Sequence, residues 1–212
     1  MLKSTLLQTR AHFGKKYELN TNDGKLIGDT TISLTLKPQI QIMIRGEKFN
    51  LKFSILEDTI NKFNLSKNAK LLPFQLYDIN DMLIGYLCIR RTRYFFGYSF
   101  FELNYKDEIY RFYSIGMGKA GLKIPMYTDR NNQVGLIEKD TVTYDNKSTY
   151  TIHTFGEHEQ MLAFLFSVYY DNAFYSTNEI ARHKKQTTYQ YTLNKKLKNK
   201  YDPNFIKRKV KK

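Results

Sequence analysis

One stretch of the chain, Glu157–Tyr175, limits the possible folds more than any other part of the sequence. Over residues 161–170, nine of ten positions are apolar or aromatic, so neither a helical nor a strand period leaves a polar face. Gly156 breaks the preceding strand-like run, and Glu157 and Glu159 place negative charge at the positive end of a helix dipole. We therefore predict a helix that is apolar on every side and has to be shielded from water on every side.

Lipid and protein are the two surroundings open to such a helix. Its apolar run is about half of the roughly 20 residues that a bilayer span requires, and Asp171 and Asn172 close it. The N-terminal residues also lack the apolar core of a signal peptide or a membrane anchor. Burial within the protein is therefore predicted, and the rest of the chain has to supply the walls.

Residues 17–153 provide these walls as a succession of short strands. Apolar residues alternate with polar ones over 32–36, 40–44 and 49–55. Aromatic residues reach 15%, with 17 Tyr, 15 Phe and no Trp, which favours strands over a helical bundle. The pattern predicts about ten to twelve strands before the apolar helix.

An internal repeat supports the prediction of strands. Segments 19–28, 76–85 and 126–135 each begin with an apolar residue, continue through an Asx- or Gly-rich centre and close on a glycine that follows an apolar residue. Such a segment predicts a β-hairpin whose closing glycine permits a bend or a bulge. The alternative is that these turns arose independently in a strand-rich chain.

Closing the strands around the helix would remove exposed strand edges and fill the interior. Eight strands are just filled by their own side chains, so a barrel that holds a helix needs roughly eleven or more. We predict a mainly β fold, a closed antiparallel barrel of about twelve strands wrapped around one C-terminal hydrophobic helix. The barrel domain is expected over residues 1–180, with the helix near 157–175, and a basic tail that is partly helical or disordered over 181–212.

The same hairpins carry a resemblance to a known family. Each ends in an apolar residue and a glycine, at Leu26-Ile27-Gly28, Leu83-Ile84-Gly85 and Gln133-Val134-Gly135, and a late apolar helix follows them. In this pattern residues 4–176 resemble the tubby C-terminal domain superfamily, which includes LURP-one-related proteins, phospholipid scramblases and small bacterial members. The resemblance implies a barrel around a central helix and, by analogy with eukaryotic tubby-like domains, a binding module for phosphoinositides. The residues after Tyr175 depart from the family pattern.

Positive charge is concentrated at the C-terminus. Residues 181–212 hold 12 of the 34 Lys and Arg but one of the 20 acidic residues, and so carry +11 of the net charge of +14. Apolar side chains recur every four residues along this tail, at Tyr189, Leu193, Leu197 and Tyr201. This spacing predicts a short basic amphipathic helix that Asp202-Pro203 ends. A polybasic segment beside an apolar stripe favours contact with an acidic membrane.

A second basic cluster, residues 90–98, mixes arginines with aromatic residues on adjoining strands. It predicts a surface for phosphate or lipid headgroups, or alternatively a hairpin whose aromatics face the core and whose arginines face water. The candidate anion-binding residues of the cluster and the tail are Arg90, Arg91, Arg93, Lys195, Lys196, Lys198, Lys200, Lys207, Arg208 and Lys209.

No set of residues has the spacing of a catalytic, metal-binding or cofactor-binding site. Residues 116–121 match G-x-G-x-x-G, but Pro125 follows where a dinucleotide site needs a helix, so we interpret them as a connection between strands. The four histidines lack metal-ligand spacing, and the lone Cys88 excludes an internal disulfide and suits a reducing cytoplasm. Neither a hydrolase nor a scramblase-like lipid transporter is expected.

Two binding functions remain. The first is a non-enzymatic cytoplasmic module that docks on anionic phospholipid headgroups through its basic surface and tail, peripherally at the inner face of the membrane. The second is a protein-binding or nucleic-acid-binding adaptor that uses the same tail. Neither function calls for a cofactor.

Overall fold

A computed structural model describes residues 1–11, 14–32, 39–53, 71–92, 97–175 and 184–208. The first nine strands are β1 (Leu2–Arg10), β2 (Lys16–Thr21), β3 (Leu26–Ile32), β4 (Gln39–Ile44), β5 (Glu47–Phe53), β6 (Leu71–Tyr77), β7 (Leu83–Arg91), β8 (Ser99–Tyr105) and β9 (Glu108–Phe112). The others are β10 (Ile115–Gly116), β11 (Leu122–Thr128), β12 (Gln133–Lys139), β13 (Val142–Tyr144), β14 (Thr149–Thr154) and β15 (Lys185–Thr187). The α-helices are α1 (Glu157–Phe174) and α2 (Lys195–Lys198), and short 3-10 turns span Gly118–Ala120 and Phe205–Lys207.

The strands close into an antiparallel barrel of twelve strands. Their order around the wall is β11, β12, β14, β1, β2, β3, β4, β5, β6, β7, β8 and β9. Strand β9 then pairs back with β11 through Phe112 and Met126, which closes the ring. The short β10 continues along the same edge of β11, beside Leu122 and Lys123. The predicted fold class, a closed barrel around one late helix, is confirmed.

The three repeated segments form hairpins with one shared register. Each closing glycine lies opposite the first residue of its segment, at Leu19 and Gly28, Leu76 and Gly85, and Met126 and Gly135. In every case the register shifts by one residue directly beyond this pair, so the residue before the glycine bulges out of the ladder. The predicted hairpins and bulges are confirmed, and they recur at every fourth strand around the barrel.

The bulged residues explain why an apolar residue precedes each glycine. Ile27, Ile84 and Val134 are partly buried and pack against the main core. The carbonyl oxygens of Ile27 and Ile84 accept hydrogen bonds of 2.8 Å from the backbone N–H groups of Arg45 and Lys106, which lie in the turns of the next hairpins. Each of these two bulges therefore links its repeat to the neighbouring hairpin.

Alanine at the closing glycines should destabilise the barrel in a graded order. A Cβ atom would lie 2.1 Å from the Asn104 carbonyl oxygen at Gly85, 2.9 Å from the Phe164 ring and 3.0 Å from the Met43 carbonyl oxygen at Gly28, and no closer than 3.3 Å to any atom at Gly135. Because the backbone contact is much shorter at Gly85 than at Gly28, we expect Gly85→Ala to lower the free energy of unfolding by about 3 kcal/mol, Gly28→Ala by less and Gly135→Ala by under about 1 kcal/mol. Urea unfolding measures the order, and equal losses would contradict this steric explanation.

Helix α1 fills the barrel. It begins after Gly156, and 12 of its 18 residues, 160–171, are buried. Phe166 stacks on Phe112 of β9 at 3.9 Å between ring centroids, and Phe101 of β8 meets Phe166 edge to face at 5.3 Å. The helix is therefore covered on every side, as its lack of a polar stripe predicts. None of the helices in the described ranges combines the length and apolar character needed to cross a membrane.

The last buried residue of α1, before the helix leaves the barrel, is an aspartate. Asp171 is fully buried, and its Oδ2 and Oδ1 atoms accept hydrogen bonds from the hydroxyls of Tyr17 and Tyr150 at 2.8 and 2.7 Å. Burial lowers the pKa of Lys15 and Lys139 nearby, and the charge of Asp171 opposes that shift. The carboxylate thus satisfies two buried hydroxyls and offsets part of the charge of two lysines.

Removing the charge of Asp171 should weaken the whole fold. Asp171→Asn keeps the shape of the side chain but loses the ionised acceptor for both tyrosines and the counter-charge for Lys15 and Lys139. We expect a loss of about 2 kcal/mol in the free energy of unfolding at neutral pH. Asp140→Asn is the matched control, since Asp140 also acts on Lys139 but is exposed. Equal losses in the two variants would mean that burial of the carboxylate is irrelevant.

Candidate anion-binding face

The chain returns along the outside of the barrel after α1. We call residues 184–208 the strap. Strand β15 pairs with β13, the Gly118 N–H donates to the Gln190 carbonyl at 2.8 Å, and the Thr192 N–H donates to the Gly116 carbonyl at 3.0 Å. Backbone hydrogen bonds therefore hold the first half of the strap against the barrel.

The short helix α2 fixes the middle of the strap. The Asn194 side chain caps it by accepting a hydrogen bond from the Leu197 N–H at 3.1 Å. Leu197 is buried with Tyr113 and Ile115 in a second apolar cluster on the outside of the wall. Partly buried aromatic residues surround this cluster, namely Tyr98, Phe100, Tyr127 and Tyr201. Farther along, Phe205 is fully buried against Phe155.

The amphipathic helix predicted over residues 189–201 is wrong for most of its length. Lys195–Lys198 is helical, whereas Tyr191 forms a β-bridge with Met117. An isolated helix of this length is marginal in water, while the backbone of residues 116–118 offers hydrogen-bond partners to an extended chain. Leu197 consequently faces the barrel, and Leu193, which the prediction placed beside it, is 89% exposed.

Three lysines of α2 face solvent around the buried Leu197. They are Lys195, Lys196 and Lys198. Leu197 and the Asn194 cap hold the helix on the barrel, so the backbone of these three lysines has a defined position on the surface. No acidic side chain within the described part of the chain forms an ion pair with any of them.

Lys200 brings a fourth cation to the same side of the barrel. Its Nζ atom lies 5.0 Å and 5.3 Å from the ring centroids of Tyr113 and Tyr127, and donates a hydrogen bond of 2.8 Å to Asn131. Burial against these groups, together with the charge of Arg111, lowers the pKa of Lys200. Lys200 and Arg111 are thus two like charges held close to each other.

Glu102 links two arginines of the barrel wall. The Arg90 guanidinium donates to Glu102 Oε1 through Nε at 3.1 Å and Nη2 at 3.0 Å. Glu102 Oε2 lies 3.9 Å from Nε of Arg111, and this nitrogen has no hydrogen-bond partner in the described structure. One carboxylate therefore serves two guanidinium groups, and together with Lys200 they leave an excess of positive charge.

The predicted candidates divide into three groups. Those that meet around the second apolar cluster are Arg90, Lys195, Lys196, Lys198 and Lys200. Arg208 also lies near this cluster, because its charge acts on the Tyr127 hydroxyl, but it is paired with Asp202 and stacked on Phe205. Arg91, exposed at the end of β7, and Lys207, exposed in a 3-10 turn, are not part of the cluster. Arg93 and Lys209 lie outside the described residues.

Arg111 is the member of this face that the sequence analysis missed. It pairs in register with Glu102 of β8 on one side and with Tyr127 of β11 on the other. Its position between Tyr110 and Phe112 indicates that it points to the opposite side of β9 from Phe112, which is fully buried. Its neighbours come from other strands, so strand periodicity alone would not have identified them.

The remaining sequence motifs and the cavity near α1 have the following positions in the structure. Residues 116–121 connect β10 to β11 through a 3-10 turn, as interpreted from the sequence. No group of three or more His, Cys, Asp and Glu side chains in the described ranges lies close enough to hold a metal ion. A cavity of about 400 Å³ opens at the start of α1, where Arg45 contacts Glu157 and His158 contacts Glu108, and Glu47 and Lys106 also line it.

Comparisons with protein-family models, with curated proteins and with solved structures give no match for this chain. The resemblance to the tubby superfamily therefore stays a prediction from the hairpin pattern.

Loss of the α2 anchor should loosen the strap before it unfolds the barrel. Leu197→Asp places a charge in the second apolar cluster, so residues 195–200 should be cut by trypsin at least about tenfold faster than in the unchanged protein. Leu193→Asp is the control, because Leu193 is exposed and its loss removes no buried contact. Limited proteolysis followed by mass spectrometry measures both rates. Equal cleavage of the two variants would contradict anchoring by Leu197.

Proposed function

We propose that this protein is a non-enzymatic binding module that docks peripherally on membranes rich in anionic phospholipid. The docking surface, which we call the basic face, comprises Arg90, Arg111, Lys195, Lys196, Lys198 and Lys200. The observation that supports it most is the fixed position of α2, whose lysines are exposed while Leu197 and the Asn194 cap hold the helix on the barrel. Lysines whose backbone is already ordered lose less conformational freedom on binding than lysines of a flexible tail.

The expected strength follows from the number of free cations. Each lysine or arginine near an anionic membrane contributes about 1 kcal/mol at physiological salt. The three lysines of α2 therefore contribute about 3 kcal/mol, and Arg90 contributes less because Glu102 already binds it. This surface suits the cytoplasmic leaflet, where anionic lipids are concentrated, and we place the protein at the inner face of the membrane.

Vesicle flotation with a matched pair of triple variants tests the proposal. The first variant carries Lys195→Gln, Lys196→Gln and Lys198→Gln, and the second carries Lys3→Gln, Lys16→Gln and Lys25→Gln. The second set removes the same charge from β1, β2 and the β2–β3 turn, across the barrel from β9. We expect the unchanged protein and the second variant to float with vesicles containing phosphatidylglycerol and not with phosphatidylcholine alone. The first variant should bind roughly 100-fold more weakly.

Two flotation results would contradict docking through the basic face on anionic lipid. Equal affinity of the two triple variants would remove the basic face as the docking surface. Equal recovery with neutral and anionic vesicles would remove the preference for anionic lipid. Deleting residues 181–212 is a poorer test, because it would also uncover the apolar cluster that Leu197 and Tyr201 cover.

Nucleic acid is the main competitor for these lysines. Exposed Tyr189 and Tyr191, which precede α2, could stack on unpaired bases beside the lysines. An adaptor of this kind would bind single-stranded RNA or DNA with an affinity that falls steeply as salt rises. Filter binding with a mixed-sequence oligonucleotide separates the two functions, since the absence of binding at low salt would eliminate this alternative.

A further inference from the structure

A row of apolar side chains stands out from the strap beside the basic face. Tyr189, Tyr191 and Leu193 are 49%, 71% and 89% exposed. Alternate residues of an extended chain point to one side, so these three form a row, which we call the apolar ridge. Met117 is 38% exposed and lies opposite Tyr191 in the β-bridge, which widens the ridge.

This part of the strap is attached to the rest of the protein by polar side chains, and its apolar side chains are left exposed. The Thr192 hydroxyl accepts a hydrogen bond from the Gly116 N–H at 2.9 Å, and the Gln190 side chain donates to the Tyr175 hydroxyl at 2.7 Å. Thr192, which is partly buried, and Gln190, which is exposed, thus both make a hydrogen bond to residues outside the strap, while the three ridge residues make no such bond in the described structure and are exposed. A strand that lies on a protein normally buries its apolar side and exposes its polar side. An outward apolar row of this kind marks an interaction surface.

The backbone prevents the ridge from turning inwards. The Gly118 N–H donates to the Gln190 carbonyl at 2.8 Å, and the Thr192 N–H donates to the Gly116 carbonyl at 3.0 Å. The Tyr191 ring lies against Gly118, where a Cβ atom would be 2.5 Å from the ring. Gly116 therefore lets the strap backbone approach closely at Gln190, and Gly118 leaves room for one side of the Tyr191 ring, while Tyr191 as a whole stays 71% exposed.

The charges around the ridge identify the partner that fits it. Lys195 and Lys196 follow the ridge directly, Lys119 lies in the 3-10 turn next to Met117, and Lys185 lies on β15, and all four are exposed. Tyrosine and leucine side chains surrounded by lysines are the composition of a surface that lies in the interface of a membrane. No acidic residue occurs between Lys184 and Asp202, so nothing in this segment repels an anionic surface.

We infer that the apolar ridge inserts into the interfacial region of an anionic bilayer while the surrounding lysines remain at the level of the headgroups. The inference rests on the proposed function and adds a second, apolar component to it. Attraction by lysines weakens as salt rises, whereas burial of Leu193 and Tyr191 does not. Binding should therefore fall with salt to a residual level that depends on the ridge.

The absence of Trp from the chain allows a direct test of insertion. Leu193→Trp gives the full-length protein a single tryptophan on the ridge, and Leu26→Trp gives one at an exposed position of the β2–β3 hairpin. With phosphatidylcholine and phosphatidylglycerol vesicles, we expect the emission of Leu193→Trp to shift to the blue and to be quenched by brominated lipid. The emission of Leu26→Trp should not change.

A pair of double variants measures the contribution of the ridge. Tyr191→Ser with Leu193→Ser should weaken vesicle binding by roughly 10- to 100-fold and remove the residual binding at high salt. Leu26→Ser with Leu83→Ser removes leucines of similar exposure elsewhere, at 53% and 59%, and should bind as the unchanged protein does.

The results separate this inference from the proposed function. If the protein floats with anionic vesicles but Leu193→Trp shows neither shift nor quenching, insertion is overturned and electrostatic docking stands. If the unchanged protein does not float with anionic vesicles, both ideas are overturned. A blue shift in Leu193→Trp with added RNA and none with vesicles would overturn the membrane as the partner of the ridge.

Discussion

A helix without a polar side is stable in water if every side is covered, and this requirement shapes the rest of the molecule. Residues 160–171 are buried without interruption, so the covering has to be a closed wall. Twelve strands give the wall enough width to hold a helix, and the bulges at every fourth strand bend it evenly. The repeated hairpins bend the wall into a closed barrel, and the apolar helix needs that closed barrel to be covered.

An apolar helix inside an apolar barrel would have no preferred position along the barrel axis. The hydrogen bonds of Asp171 determine that position. Tyr17 and Tyr150 belong to β2 and β14, and both hydroxyls reach the same carboxylate. Moving the helix by one turn would separate Asp171 from both partners and leave three buried polar groups unpaired, at about 1–3 kcal/mol each. The same contact determines that the chain leaves the barrel near Lys15, which bonds to Asn172, and then has to return along the outside.

Features that depend on local sequence could be predicted, and features assembled across strands could not. The hairpins at Gly28, Gly85 and Gly135 were predictable because turn, bulge and strand lie within ten consecutive residues. The arrangement of Glu102 between Arg90 and Arg111 requires the register of three strands, which no local pattern contains. Asp171 was visible in the sequence as the end of the apolar run, but its burial depends on two tyrosines more than twenty residues away along the chain.

The strap shows why a correct pattern can predict the wrong element. Tyr189, Leu193, Leu197 and Tyr201 have helical spacing, yet Tyr189–Leu193 also reads as a strand because Tyr191 fills the alternate position. The backbone of Gly116 and Gly118 decides between them by offering hydrogen bonds to an extended chain. Because the segment is extended, its apolar residues lie on two different sides. Leu197 is buried against the barrel, and Leu193 faces outwards. A continuous helix would have placed all four on one stripe against the wall, with cations alone exposed. The extended strap places apolar side chains and lysines together on one outward surface, and this combination depends on the completed barrel.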